Sequence, residues 1–142
     1  MARIPKQVIQ HFRNVPLFAG VSERGLRALV AAADEITEPA GKELVRQGEH
    51  SRELFVITEG SVAVTREGRK LNTLGPGDFF GEIALLSGGP RSATVTAETD
   101  VAVMILRPAQ FTVVLDSEPR IMQAVLRALG ERLRPLDERA LG

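Results

Sequence analysis

Cysteine is absent from this chain of 142 residues. Disulfide staples, thiolate metal sites and cysteine nucleophiles are excluded with it. Histidine is scarce: His11 and His50 are the only two. Neither has a partner at the His-x-His or His-x3–5-His spacing that a metal site uses, so each reads as a surface or helix-end residue. No resident cofactor or metal is implied. An excess of charge is missing too, since 18 basic and 18 acidic side chains give a formal net charge of zero. No global field therefore draws the chain to nucleic acid or to an anionic membrane. No run approaches the roughly 20 unbroken apolar residues of a bilayer span. The opening Met1-Ala2-Arg3-Ile4-Pro5-Lys6 carries no apolar signal core. The expectation is a cytoplasmic protein that touches neither nucleic acid nor the bilayer directly.

What is present is an ordinary globular composition, 44% hydrophobic and 25% charged, at a length that suits one domain with one core. The ends read as helix and the middle as strands and turns. Val8, Ile9 and Phe12 share a helical face, and Asn14-Val15-Pro16 interrupts it. Ser22 is a good N-cap for a second helix burying Leu26, Leu29, Val30 and Ala33. From about Glu35 the period changes. Short strands are predicted at 43–46, 54–57, 61–65, from Leu71, at 94–96 and at 101–106, punctuated by Pro39-Ala40-Gly41, Glu59-Gly60, Glu67-Gly68 and Gly75-Pro76-Gly77. Many short strands with regular glycine turns suggest a sandwich or barrel. Ile121, Met122, Val125, Leu126, Leu129 and Leu133 predict one face of a C-terminal helix starting near Ser117 or Glu118, which Pro135 should stop or kink. Arg127, Glu131, Arg132, Arg134 and Asp137 read as its solvated face.

Chemistry concentrates between Gly77 and Ala97. Gly81 lets backbone come close to a ligand, because no Cβ stands in the way. Glu82 to Leu86 makes a turn of helix whose first N–H groups attract an anion. Gly88-Gly89-Pro90 returns the chain, and Arg91 supplies a cationic fork suited to two phosphate oxygens. Glu82 is unfavourable beside a phosphate unless it accepts hydrogen bonds from the ligand, and a ribose hydroxyl is a natural donor. The combination suggests a compact sugar phosphate with a free hydroxyl. A solvated Arg91–Glu82 salt bridge is the bland alternative, and a turn hydrogen bond is the bland reading of Ser92.

Phe80-Gly81-Glu82-Ile83-Ala84-Leu85, followed after four residues by Pro90-Arg91-Ser92-Ala93-Thr94-Val95, resembles the phosphate-binding cassette of cyclic-nucleotide-binding domains. That family includes catabolite activators, protein kinase A regulatory subunits and nucleotide-gated channels. The similarity extends to Val15-Pro16-Leu17-Phe18, Pro39-Ala40-Gly41, Gly48, Glu59-Gly60 and the helix after Phe111. The resemblance implies a mainly β fold with flanking helices: an eight-stranded β-roll of the jelly-roll or cupin-like kind, with N-terminal helices, a short cassette helix and a C-terminal helix. It divides a single domain, 1–142, into N-terminal helices (1–34), the roll (35–108, cassette 77–97) and C-terminal helices (109–142). It further implies that Glu82 accepts the ribose 2′-hydroxyl and that Arg91 pairs with the cyclic phosphate. Amides around Ile83, Ala84, Ser92 and Ala93 would assist. Gly81 would keep the wall close to the ribose, and Val64 and Leu74 would offer apolar surface to base and sugar. Threonine after the arginine often accompanies cGMP preference in the family, so Ser92 favours cAMP. Where some members place an aspartate that orients the cassette arginine, this chain has Arg52, with Glu53 beside it and Glu49 nearby.

The expected function is a non-catalytic regulatory module that binds cAMP, or cGMP as the lesser alternative. It would relay occupancy through its terminal helices to an effector protein or domain. A degenerate, nucleotide-free scaffold of the same fold is the runner-up, and a cupin-type metal enzyme is disfavoured by the isolated histidines. No helix-turn-helix follows residue 134 and no channel helix precedes residue 5. The expectation is action in trans or as a regulatory piece of something longer, with a homodimer through the terminal helices as a further possibility.

Overall fold

The computed structural model describes the backbone of residues 4–141 and the side chains of residues 4–131. Helix α1 (Lys6–Arg13) presents Ile9 and Phe12 to the core, and a 3-10 turn over Pro16–Phe18 leads to α2 (Glu23–Ala32). Ser22 caps α2 as its sequence predicts, its Oγ accepting from the Gly25 amide at 3.1 Å. Leu26, Leu29 and Val30 are buried beneath it, whereas Ala33, just past its end, is only half-buried.

Eight strands follow: β1 (Asp34–Glu38), β2 (Glu43–Val45), β3 (Leu54–Glu59), β4 (Val62–Arg66), β5 (Arg69–Leu74), β6 (Phe79–Phe80), β7 (Thr94–Ala97) and β8 (Val101–Leu106). Helix α3 (Glu82–Ser87) interrupts them between β6 and β7. All pairings are antiparallel, in two four-stranded sheets ordered β1-β8-β3-β6 and β2-β7-β4-β5. The β-roll flanked by helices is the expected architecture.

Strands β3 and β8 are continuous apolar runs because both of their faces are covered. Alternation sends Leu54, Val56, Met104 and Leu106 into a cluster with the helices, including Phe12, Phe18 and Leu29. The intervening Phe55, Ile57, Val103 and Ile105 face the roll interior with Val45, Val62 and Val95. One sheet thus serves two cores. The second sheet covers the roll on one side only, and β5 at its edge is mostly exposed.

The C-terminal part is two helices, α4 (Pro108–Ser117) and α5 (Arg120–Leu141), parted at Pro119, which supplies no backbone N–H. The second starts close to the expected Ser117 or Glu118 and differs from its sequence reading in two ways. The apolar stripe is split: Ile121 and Val125 are buried, but Met122 is 40% and Leu126 59% exposed. At 100° per residue the second pair lies a full step around the helix from the first. Pro135 does not end α5, which runs on to Leu141. A proline removes one hydrogen bond from a helix whose other bonds remain. The side chains of Arg132, Leu133, Arg134 and Asp137 lie outside those described, while Arg127 and Glu131 are exposed.

His11 is a helix-end residue, one of its two expected placements, but not a surface one. It sits in the last turn of α1 but is 8% exposed, its ring beside Gly77, and its Nδ1 has no hydrogen-bond partner among the described residues. Burial lowers its pKa below the usual histidine value. His50 is exposed and forms an isolated bridge with Pro90.

Candidate functional site

A cleft of about 760 Å³ opens between β4, β5, α3 and the segment leading into β7. All nine residues singled out from the sequence line it: Val64 on β4, Leu74 on β5, Gly81, Glu82, Ile83 and Ala84 at the start of α3, and Arg91, Ser92 and Ala93.

Gly81 sets the geometry of one wall. It is the N-cap of α3 in the left-handed region, at φ 85°, where residues with a Cβ are strained. Its missing side chain has a specific neighbour. A Cβ there would collide with Arg91 Nη1 and with the Glu53 carbonyl oxygen. The space that glycine leaves is filled by the cation of the site. Glu82, Ile83 and Ala84 supply the first-turn amides of α3; Leu85 N–H bonds across the turn to Gly81 C=O, at 3.2 Å.

Arg91 is only 7% exposed. Its Nε donates to Ser51 Oγ at 2.7 Å and its Nη2 to the Glu53 carbonyl at 2.8 Å. Its guanidinium carbon lies 5.9 Å from the centre of the Phe55 ring, which stacks on Phe80 at 4.6 Å. The backbone is tied down as well, with Arg91 N–H bonded to Glu49 C=O at 2.8 Å and Gly48 N–H to Arg91 C=O at 2.9 Å. Burial lowers the Arg91 pKa from its ordinary value, and the charge of Glu53 acts in the opposite sense. A guanidinium stays protonated at neutral pH regardless. The groups that hold the guanidinium at hydrogen-bond distance are the Ser51 hydroxyl and the Glu53 carbonyl. This is a fixed, largely desolvated positive charge held by neutral acceptors, which is the environment in which an incoming anion gains most.

Glu82 is buried to a similar degree, 8% exposed, in the same cleft. Both members of the Arg91–Glu82 pair of the bland reading are thus buried and do not lie on a solvated turn. Ser92 is exposed, and its carbonyl accepts from Arg66 Nε at 2.9 Å, which anchors the loop to β4. Arg52, read from the sequence as a departure from an acidic position, points to α3 and not to Arg91. Its guanidinium donates to the carbonyls of Leu86 at 3.0 Å, Leu85 at 3.4 Å and Ala84 at 3.5 Å.

Several lining residues escaped the sequence reading. Leu71 and Asn72 both line the cleft, although strict alternation would put them on opposite faces. Val64 pairs with Asn72 and Thr65 with Lys70, so Leu71 is the extra residue of a β-bulge. Val45 and Phe79, together with Phe80 and Val95 of the quoted cassette, complete the apolar floor. Among the described residues no cluster of histidine and carboxylate side chains suits a metal ion.

The sequence profile of the family described as "Cyclic nucleotide-binding domain" matches residues 36–118, more than half of the chain. A cyclic nucleotide-gated potassium channel of Mesorhizobium japonicum is 42% identical over 118 residues, 83% of this chain and 33% of that protein. A CRP-like cAMP-activated global transcriptional regulator of Mycobacterium tuberculosis is 34% identical over 124 residues, 83% of this chain and 55% of the regulator. Among solved structures, the N-terminal domain of a transcriptional regulator from Streptomyces coelicolor A3(2) superposes with a TM-score of 0.83 at 34% identity, covering 90% of this chain and 95% of that one. The chain belongs to the cyclic nucleotide-binding domain family. It spans about a third of the channel and about half of the curated regulator. Among the described residues no helix is long and apolar enough to cross a membrane.

Proposed function

We propose that this chain is a non-catalytic sensor that binds cAMP in preference to cGMP and passes the occupancy of its cleft to its terminal helices. The observation that carries the reading is Arg91: a buried cation held by Ser51 Oγ and the Glu53 carbonyl, in one cleft with Glu82 and the first turn of α3. The cyclic phosphate sits against Arg91 and those amides, and Glu82 accepts from the ribose 2′-hydroxyl. The base lies along Val64, Leu71 and Leu74. Ser92 and the cAMP-activated M. tuberculosis relative support cAMP over cGMP.

The route outward is apolar. Leu85 of α3 is 2% exposed and belongs to the same buried cluster as Phe111 and Val114 of α4 and Ile121 and Val125 of α5. A shift of α3 on binding therefore presses on the packing of the C-terminal helices, since close-packed interiors transmit strain. The receiver is an effector protein or domain in the cytoplasm, or another part of a longer chain. A nucleotide-free scaffold would have no use for a desolvated cation and a buried acid in one cleft.

Isothermal titration calorimetry with cAMP and cGMP tests the proposal. Saturable heat with cAMP at lower concentration than with cGMP is expected. No heat from either at high micromolar ligand would sink it.

A further inference from the structure

Three consecutive residues, Ser51, Arg52 and Glu53, touch both halves of the site. Ser51 Oγ and the Glu53 carbonyl accept from the Arg91 guanidinium at 2.7 and 2.8 Å. Between them, Arg52 donates to the last-turn carbonyls of α3, with Leu86 the closest at 3.0 Å. The Arg52 stem also lies under the turn that ends α3: a Cβ on Gly88, itself at φ 70°, would stand 3.3 Å from Arg52 Cδ.

A six-residue helix has no stability of its own. Its first turn offers amides to the ligand and its last turn leaves carbonyls without intrahelical partners. A guanidinium at that end satisfies those of Leu85 and Leu86 together, Ala84 C=O already accepting from Gly88 N–H at 2.9 Å, and complements the negative end of the helix dipole. The geometry points to Arg52 as a positioning residue for the nucleotide site: the segment 51–53 is a clip that fixes α3 from its C-terminal end relative to Arg91. The amides of α3 and the cationic fork then meet a phosphate already in register. Arg52 touches no ligand itself. It acts by removing an ordering cost that binding would otherwise bear.

This inference rests on the nucleotide-binding reading above, and its test separates the two. Wild type, Arg52→Ala and Arg52→Lys are compared by hydrogen exchange of the ligand-free protein over residues 82–88, by thermal unfolding, and by calorimetry with cAMP. In Arg52→Ala the exchange of α3 amides accelerates while the ligand-free midpoint stays within about 2 °C, because an exposed side chain contributes little to global stability. The cAMP affinity falls about threefold to tenfold, as expected for hydrogen bonds that are partly solvated. Arg52→Lys keeps the charge but not the fork, and recovers only part of the exchange protection and of the affinity.

Unchanged exchange in Arg52→Ala overturns the clip whether or not nucleotide binds. Faster exchange with wild-type affinity overturns the positioning role and leaves Arg52 an ordinary helix cap. Full recovery in Arg52→Lys assigns the effect to charge and overturns the fork. If wild type binds neither nucleotide, the nucleotide reading fails and the positioning role with it, while exchange still decides whether Arg52 holds α3.

Discussion

Replacing Arg91 by alanine separates binding from folding, and the size of each effect follows from what Arg91 touches. In the ligand-free protein the guanidinium makes two side-chain hydrogen bonds, to Ser51 Oγ and the Glu53 carbonyl. Each is worth about 1 kcal/mol net. Against that loss, the variant no longer has to desolvate a charge that is only 7% exposed. The two terms oppose each other, so the net destabilisation is about 1–2 kcal/mol, or a drop of roughly 3–8 °C in Tm for a domain of this size. With a phosphate in place the balance changes, because a hydrogen bond to a charged group is worth about 1.5–3 kcal/mol. At 1.4 kcal/mol per factor of ten, cAMP affinity should fall roughly 10- to 150-fold. Calorimetry gives the affinity, and scanning calorimetry without ligand gives the stability. Arg91→Lys, which keeps the charge without the fork, should fall between wild type and alanine. Binding by Arg91→Ala within a factor of about three of wild type would refute the reasoning, as would a ligand-free variant that no longer folds at room temperature.

Gly81→Ala should lose several degrees of Tm and most nucleotide binding, since the left-handed backbone costs roughly 1–2 kcal/mol for a non-glycine residue and the new methyl displaces Arg91; thermal unfolding and calorimetry read both effects. Glu82→Gln should weaken cAMP about tenfold or more by replacing a charged acceptor with a neutral one. The same variant should discriminate little between cAMP and 2′-deoxy-cAMP in competition binding, whereas wild type should favour cAMP. Ser92→Thr keeps the hydroxyl and restricts its rotamer, so the cGMP-to-cAMP affinity ratio should move toward cGMP by less than about fivefold, the value of one whole hydrogen bond, as read by paired titrations. Because burial lowers the His11 pKa in the folded state, the unfolded chain binds more protons near its ordinary value of about 6.5. The contribution of His11 to stability is intact above that pH and is lost as pH falls below it toward the folded-state pKa. Glu43 and Glu98, whose pKa values are held down by Arg46 and Lys70, act only at lower pH, below the usual carboxylate value. Tm measured from pH 7.5 to 5 should therefore fall less in His11→Gln than in wild type.

Where a pattern depends on side chains, the sequence was readable. The alternation in β4, the apolar runs of β3 and β8 and the Ser22 cap are all local, and each stands where it was expected. Strand β1 has only Ile36 as a large apolar residue, and its partner β8 holds it in place, so composition could not announce it. Strand β6 is two residues long, too short for any period. The cassette was legible as a set because its members lie within 20 residues of one another. What grips Arg91 was not legible, because the Glu53 contact is through a carbonyl that every residue possesses. The lining role of Leu71 depends on a bulge set by pairing with β4, which no local signal encodes. Arg52 was read as a departure from a familiar acidic position; its contacts with α3 lie more than 30 residues away in sequence.

The sheet shared by two cores gives this chain an addressable interior. Along β3 and β8, one set of alternating residues faces the helices and the other faces the roll. A designer can vary Leu54, Val56, Met104 and Leu106 to repack the helical side without changing the strand face that carries Phe55, with Arg91 against its ring. Changes at Phe55, Ile57, Val103 and Ile105 would instead retune the floor of the roll. Each face of a single pair of strands can therefore be redesigned in its own right, and the helical face reaches the cleft through Leu85.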